Sequence, residues 1–413
     1  MSEYRRNHYV PEWFQNRFIP ESASERKFFY LDLNPDMVES NGHRHTRKGL
    51  LRWGPDSCFC QDDLYTTKFG AIESTEIEQK FFGSIDEAGA KAVRYFAEFK
   101  HPSVETDAFH DFLVFLSTQK IRTPKGLNAF AQFVGEKVRN RLLFRMQEFR
   151  NMHCALWTEC IWSLVSAANS DIKFLLSDHP VTVYNPRCFP ASNWCRGDGD
   201  PPIWLNGTHT IFPLQMDKAL ILTNLSWVRN PYGNAMRARP NPHLFRGAMF
   251  NFTSIQTGRE LDDDEVDKIN LIIKTRARRY VAAFEKDWLY PESRVEAQSW
   301  DKLTYPYLLM PDPRAVNFST EIIIGYKGGH SDAFDEYGHK PWQKGFTDKR
   351  RERQEWETFH AFESEYARLF GSRRRGQAFS FMRLDEEEDS PEYHASLLAA
   401  ESRYRKGNRR RRR

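Results

Sequence analysis

Six polar residues spread along the chain have the types that acid–base chemistry needs. They are His8, Glu78, Gln119, Arg122, Asp178 and Asn270. Imidazole and carboxylate groups can exchange protons near neutral pH, and a guanidinium holds a phosphate or carboxylate through paired hydrogen bonds. If folding gathers these side chains around one pocket, His8 would be the general acid or base, Asp178 would orient it or bind a metal ion, and Arg122 would hold the anion.

The same residue types also predict a purely structural arrangement. Charged side chains are seldom buried unless they are paired, so Arg122 would pair with Glu78, and Asp178 would cap a turn before Pro180. Asp178 and His179 could suggest a metal site, but adjacent residues of a strand or turn seldom face one metal ion. His179 is therefore predicted to lie at the surface. The chain has none of the GxSxG, GxxxxGK, GxGxxG or HExxH signatures, so both interpretations stay open.

The opening segment NHYVPEWFQNRF is rich in aromatic residues. Buried aromatic side chains contribute about 1.5 to 3 kcal/mol each, which favours an anchor that places Trp13, Phe14 and Phe18 in the core. The alternative is a site segment in which His8 and Arg17 face a pocket.

The composition is typical of a globular protein. With 413 residues, of which 14% are aromatic, the chain can bury a sizeable core. No stretch approaches the roughly 18 apolar residues of a membrane span, so we expect a cytoplasmic protein that does not cross a membrane. The six cysteines lack zinc-site spacing and are predicted to be reduced thiols.

Charge is concentrated toward the C-terminus. The formal net charge is +4, and residues 341–413 carry 18 Lys and Arg against 13 Asp and Glu, so the remainder is close to neutral. The acidic run Asp385–Asp389 and the arginines 409–413 are typical of a disordered tail. Such a tail predicts binding to nucleic-acid phosphates or to an acidic protein.

Hydrophobic periodicity predicts the elements that would position these residues. Apolar residues recurring every three or four positions predict helices over about residues 73–96, 107–119, 124–149, 154–168, 262–284 and 348–370. Alternating or continuous apolar runs predict strands at residues 27–33, 172–176, 181–184, 208–214, 219–225 and 321–326.

Six motifs follow one another along the chain. They are HYVPEWFQNRF, DLYTT ahead of paired acids in a helix, QKIRTP, SDHPV, IFPLQMDKALIL and KINLIIKTRARRYV. In this order they resemble DUF4238, a family of unknown function found mainly in bacteria, over about residues 7–290. The resemblance implies no activity, but it marks the six polar residues as positions that match the family pattern. The chain departs from that pattern at Asp86, where the family has glutamate.

These observations predict an α+β fold, with a helical bundle packed against a mainly antiparallel sheet, an accessory C-terminal helix and a disordered Arg-rich tail. The predicted boundaries are 1–295 for the DUF4238-like domain, 296–371 for an extension and 372–413 for the tail. The functional hypothesis is a nuclease-like hydrolase acting on a phosphate-containing or nucleic-acid substrate, with Mg²⁺ or Mn²⁺ as the candidate cofactor. The alternative is a non-catalytic binding module whose tail supplies the affinity. The oligomeric state is not predicted.

Overall fold

The computed structural model of the chain describes residues 6–40, 43–69, 72–99, 106–239, 255–296, 299–316, 321–325, 331–335, 339–378, 391–393, 395, 396 and 399. Helices and mostly antiparallel sheets make up this part of the chain, so the predicted α+β class is confirmed. The acidic run 385–389 and the terminal arginines of the predicted tail lie outside the described residues.

Helices cover much of the middle of the chain. Within the described ranges, the α-helices are α1 (Glu12–Gln15), α2 (Gly83–Ala97), α3 (Thr106–Arg122), α4 (Pro124–Val134), α5 (Arg139–Glu148), α6 (Cys154–Thr158), α7 (Leu225–Arg229), α8 (Asp263–Arg276) and α9 (Lys349–Phe370). A π-helical segment, Ile77–Phe82, leads directly into α2.

The strands are short, and most of them come before or after the helical region in the sequence. In the described residues they are β1 (Arg6–His8), β2 (Phe28–Asp32), β3 (Met37–Ser40), β4 (His43–Thr46), β5 (Leu50–Trp53), β6 (Cys60–Asp62), β7 (Thr67–Phe69), β8 (Ile72–Ser74), β9 (Cys160–Ser166), β10 (Leu176–Ser177), β11 (Thr182–Tyr184), β12 (His209–Gln215), β13 (Lys218–Asn224), β14 (Ile255–Glu260), β15 (Tyr280–Ala283), β16 (Glu321–Gly325), β17 (Ser331–Asp335) and β18 (Gln377–Ala378).

The central sheet has the order β11-β12-β13-β9-β14-β18, and only its β14–β9 pair is parallel among these strands. Successive side chains of a strand point to opposite faces, and both faces of this sheet are covered. Phe212 and Leu222 join the core shared with the helical region, whereas Ile211 and Ile221 join a second core with α8. Burial on both faces explains why these strands are continuously apolar.

A second sheet, β10-β15-β2-β5, joins two strands of the N-terminal region to β15, the strand that follows α8, and Phe29 and Leu31 of β2 pack against the core formed with α8. The helix α8 begins with a capping box between Asp262 and Glu265, as its acidic first turn favours. It ends at Arg276 because Ala277 is extended. The predicted helix over 262–284 is therefore wrong beyond residue 276, where β15 replaces it.

Two other predicted helices are also corrected. Residues 154–168 form α6 and β9, because β9 lies inside the central sheet with buried residues on both faces and its continuous apolar run resembles a buried helix. Residues 124–149 form two helices, since Gly135 adopts a left-handed conformation with φ of 67° and ends α4.

The opening segment anchors the N-terminal part in the core. Phe14 and Phe18 are buried, and the Phe14 ring stacks on Phe212 with centroids 5.2 Å apart. Arg17 donates through Nε to the backbone oxygen of Leu214 at 2.8 Å. The anchor interpretation is confirmed for these aromatic residues, while Trp13 is only partly buried against the same core.

The C-terminal extension packs on the body of the protein. Phe359, Phe362 and Tyr366 of α9 share a core with α7 and with Ile161 of β9. Beyond α9, residues Gln377–Ala378 pair with β14 and add a strand to the central sheet. The first residues of the segment predicted to be a tail are thus part of the fold.

Candidate functional site

The end of α3 places two groups of polar side chains on different sides of one helix. Thr123 is extended and caps α4 by accepting a hydrogen bond from the Gly126 backbone N–H at 3.0 Å, and Pro124 is the first residue of that helix. A Cβ at Gly126 would overlap the backbone oxygen of Lys120. Only glycine allows this close contact between the end of α3 and the start of α4.

The first group, here called the Arg122 cluster, consists of Tyr65, Glu78, Asp86, Gln119 and Arg122. The Arg122 guanidinium is buried, and its Nη1 lies 2.8 Å from Asp86 Oδ1. Its Nε donates to Gln119 Oε1 at 2.7 Å. Gln119 in turn donates to the backbone oxygen of Tyr9 at 2.8 Å. The cluster therefore ties the end of α3 to α2 and to the N-terminal segment.

Glu78 is a carboxyl of this cluster with a raised pKa. It lies in the π-helical segment, and burial raises the pKa of its carboxyl to about 7, although the nearby Arg122 charge opposes the shift and Asp86 adds to it. Glu78 Oε2 and Arg122 Nη2 are buried, and neither has a hydrogen-bond partner among the described residues. The observed ion pair of Arg122 is with Asp86, whereas the structural interpretation predicted Glu78.

The other three predicted site residues belong to separate hydrogen-bond networks. His8 lies 3.2 Å through Nε2 from the Asp56 backbone oxygen and 3.3 Å through Nδ1 from Glu12. Asp178 accepts backbone N–H groups of Arg278, Arg279 and Tyr280 at 2.9, 2.7 and 3.0 Å.

Asn270 binds two backbone groups in front of β10. Its Oδ1 accepts from the Leu175 N–H, and its Nδ2 donates to the Lys173 oxygen, both at 2.9 Å. Asp178 and Asn270 thus hold the β10 region against α8 and β15. The structure brings Glu78, Gln119 and Arg122 together, and it places the remaining three apart from them.

The second group lines a cavity of about 760 Å³, here called the main cavity. Its walls are mainly apolar and include Ile121, Phe130, Phe133, Phe149, Met152, Leu156, Ile203 and Trp204. Its polar lining includes Lys120, Lys125, His153, His179, Asp198 and Asp200. None of the six predicted site residues, all of which are described, lines this cavity. Cavities of this size with a few convergent polar groups are typical of small-molecule sites.

Asp200 is the centre of the polar lining. Its carboxylate lies 3.0 Å from Lys120 Nζ, 2.7 Å from Lys125 Nζ and 3.1 Å from His179 Nε2. Burial alone would raise the pKa of Asp200, but the two ammonium groups and His179 outweigh it and hold the pKa well below its usual range. Burial lowers the pKa of Lys120, and Asp200 partly restores it. The lining therefore holds one ionised carboxylate between two lysines.

His179 is fixed on both sides. Thr123 Oγ1 lies 2.7 Å from Nδ1, and Asp200 lies beside Nε2. Because the ionised Asp200 accepts from Nε2–H, the Thr123 hydroxyl donates to Nδ1. Burial and Lys120 lower the pKa of His179 to about 4, so the ring is neutral at pH 7. The prediction of a surface histidine is wrong: His179 is 1% exposed.

His153 is the second neutral imidazole of the cavity. Its Nδ1 lies 3.2 Å from Ser117 Oγ, and its Nε2 has no hydrogen-bond partner among the residues the structure describes. Burial, Lys120 and His179 lower its pKa to about 3. When Nδ1 carries the proton, Nε2 has a free lone pair and can accept a proton within the cavity.

Comparison with known proteins decides the family. The model of the family described as "Protein of unknown function (DUF4238)" matches residues 6–287, about two thirds of the chain. The chain belongs to DUF4238. No curated protein and no solved structure matches it.

The DUF4238 match includes both the Arg122 cluster and the main cavity, and it ends before α9. In the part of the chain that is described, no group of three or more His, Cys, Asp or Glu residues is arranged to hold a metal ion. None of the described helices combines the length and apolar character that crossing a membrane requires.

Sequence reasoning missed the residues of the cavity for identifiable reasons. Lys120 lies between Gln119 and Arg122 in the QKIRTP motif, but nothing in that motif indicates that the lysine is buried. Asp200 lies in a Gly- and Pro-rich loop, 80 residues from Lys120, with no periodic pattern around it. The SDHPV motif of this DUF4238 chain was a usable signal, although His179 rather than Asp178 reaches the cavity.

Proposed function

We propose that the main cavity is the active site of a hydrolase that acts on a small phosphate-containing substrate with an aromatic or apolar group. The observation that carries the proposal is the joint placement of Lys120 and Lys125 on Asp200 within the mainly apolar cavity. Polar groups at one end would bind the phosphate. The apolar walls would bind the rest of the substrate.

Charge balance favours an anionic substrate. Lys120 and Lys125 face Asp200, and both histidines are neutral at pH 7. Asp198 is paired with Arg278 at 3.1 Å. One positive charge therefore remains among these groups. A phosphate would accept hydrogen bonds from Lys120 and Lys125 and would replace part of their contact with Asp200. Burial strengthens such contacts because little water screens them.

The shape of the cavity favours a small ligand. Phe133, Phe149 and Trp204 supply flat faces on which an aromatic ring or a nucleobase can stack. A volume of about 760 Å³ suits a single nucleotide or a compound of that size. A nucleic-acid substrate would therefore enter as one nucleotide or as a single-stranded end.

The hydrolytic step can be assigned to the histidine and lysine of the cavity. A water molecule attacks phosphorus, His153 Nε2 takes a proton from that water, and the bond from phosphorus to the leaving oxygen breaks. Lys120, whose pKa is lowered by burial, donates a proton to the leaving oxygen. The bound phosphate would raise the pKa of His153 and make it a stronger base.

Chromogenic aryl phosphate monoesters and diesters would test this function, assayed with and without Mg²⁺ or Mn²⁺. We expect His153→Gln and Lys120→Met to lower turnover at least a hundredfold while far-UV circular dichroism is unchanged. The matched controls are His110→Gln, on the same helix as Lys120 with its side chain 59% exposed, and Lys137→Met at an exposed position.

Two results would contradict hydrolysis. Equal loss of turnover in the control variants would mean that the activity comes from elsewhere or from a contaminant. Binding of the aryl phosphate without turnover would favour a non-catalytic binding module instead.

A further inference from the structure

A second cavity lies where the C-terminal extension meets the DUF4238 domain. Its volume is about 400 Å³, and α7, α9 and the segments near residues 206 and 237 form its walls. Its lining is polar and consists of Asn206, Ser226, Arg229, Asn230, Arg237, Ala238, Arg351, Gln354, Glu355 and Thr358. We call it the arginine cleft.

Three guanidinium groups dominate the charge of this cleft. Arg229 is 1% exposed, Arg351 is partly exposed, and Arg237 is exposed. Glu355 supplies one negative charge among the lining residues, and Asp335 accepts a hydrogen bond from Arg351 Nη2 at 3.1 Å. Arg229, Arg351 and Glu355 have partners within the protein, whereas the exposed side chain of Arg237 makes no hydrogen bond to another described residue.

The neutral side chains of the cleft can hydrogen-bond a polar ligand. The lining contains amide groups of Asn206, Asn230 and Gln354 and hydroxyl groups of Ser226 and Thr358. Amides and hydroxyls suit a sugar, whereas planar guanidinium groups suit a phosphate. The aromatic walls of the main cavity have no counterpart among the described residues of this lining.

We propose that the arginine cleft is a second ligand site that binds a sugar phosphate or another phosphate ester with a polar body. The arginines bind the phosphate, and the amide and hydroxyl groups bind the polar body. Because α9 lies beyond the DUF4238 match, the extension completes this site. The proposal does not depend on hydrolysis in the main cavity.

Isothermal titration of the full chain with ribose 5-phosphate and with ribose tests the site. We expect ribose 5-phosphate to bind at least tenfold more tightly than ribose. Arg237→Ala should weaken the phosphate ester at least tenfold, and it is the safest variant because its exposed side chain makes no hydrogen bond to another described residue. Arg351→Ala should have a similar effect.

Arg353→Ala is the matched control, because Arg353 is exposed on the same helix and does not line the cleft. Lys120→Met, which removes an ammonium group proposed to bind phosphate in the main cavity, should bind ribose 5-phosphate as the unmodified chain does, and this result separates the two sites. Equal affinity for ribose and ribose 5-phosphate, or an equal loss in Arg353→Ala, would overturn the proposal. Inorganic phosphate serves as a further probe: binding as tight as that of ribose 5-phosphate would overturn the assignment of a polar body.

Discussion

The Arg122 cluster and the polar lining of the main cavity lie at the end of the same helix, yet they satisfy their charges differently. In the cavity, Asp200 compensates two lysines, and its pKa is held far below the usual range. In the cluster, Arg122 pairs with Asp86, and the second carboxyl, Glu78, has a pKa raised to about 7. The cavity thus keeps its carboxylate ionised at neutral pH through two lysines, whereas the cluster contains a carboxyl whose protonation changes near neutral pH.

The contacts of the α3 end follow the same division. Gln119 and Arg122 connect α3 to α2 and to the opening segment. Lys120, between them in the chain, lines the main cavity. We infer that the cluster positions the helix end that contains Lys120.

The largest effect should come from removing the shared carboxylate of the cavity. Asp200→Asn leaves Lys120 and Lys125 without their common counter-charge, and breaking a buried ion pair costs about 3–5 kcal/mol. The change in unfolding free energy can be measured by urea denaturation at pH 7. Asp264→Asn is the control, because Asp264 is 63% exposed and its pair with Lys268 should contribute less than about 1 kcal/mol. A loss below 1 kcal/mol in Asp200→Asn would contradict the difference between the two regions.

Both regions depend on the close contact at Gly126. Gly126→Ala should destabilise the protein by about 2–3 kcal/mol, because the new Cβ overlaps the Lys120 backbone. Gly83→Ala is the control: its Cβ would meet only the Glu78 oxygen at 3.8 Å, and it should stabilise α2 by about 0.5–1 kcal/mol. If the two variants have equal stability in thermal unfolding, the junction is not as tight as the structure indicates.

Low pH should destabilise the protein through the two histidines of the main cavity. His153 and His179 have folded pKa values of about 3 and about 4, below the ordinary value of 6.5. The unfolded chain therefore binds more protons between about pH 6.5 and 4, and stability falls as the pH falls through that range, by about 1.4 kcal/mol per unit for each histidine. Urea unfolding at several pH values should show a smaller slope in His179→Asn and an unchanged slope in His110→Gln. An unchanged slope in His179→Asn would be contrary evidence.

High pH should destabilise the protein through Glu78 of the Arg122 cluster. The pKa of Glu78 is raised from 4.5 to about 7, so its stabilising protonation is complete below about pH 4.5 and is lost as the pH rises through about 7. Glu78→Gln should gain about 2.5 kcal/mol relative to the unmodified chain between pH 5 and pH 8. The exposed Glu76→Gln should show no such gain. Equal pH dependence in the two variants would remove Glu78 from the account.

Sequence reasoning predicted more of the fold than of the candidate site. Amphipathic stripes predicted α2, α3 and α9, and the β12–β13 hairpin followed from its two apolar runs. The same reasoning misread β9, because a strand buried on both faces has no alternation that separates it from a buried helix.

The site needed tertiary information. The Arg122 cluster could be predicted in part, since Glu78 stands beside an apolar stripe and Gln119 and Arg122 stand at the end of a predicted helix. The cavity could not, because Asp200 joins Lys120, Lys125 and His179 only after the loop folds back on α3 and α4. No local pattern encodes that contact.

The most direct test of the central claim is a crystal structure of the chain with phenyl phosphate. We expect the phosphate about 3 Å from the Lys120 and Lys125 ammonium groups, with the phenyl ring against the apolar wall of the main cavity. A phosphate bound at the Arg122 cluster or in the arginine cleft, with the main cavity empty, would contradict the account.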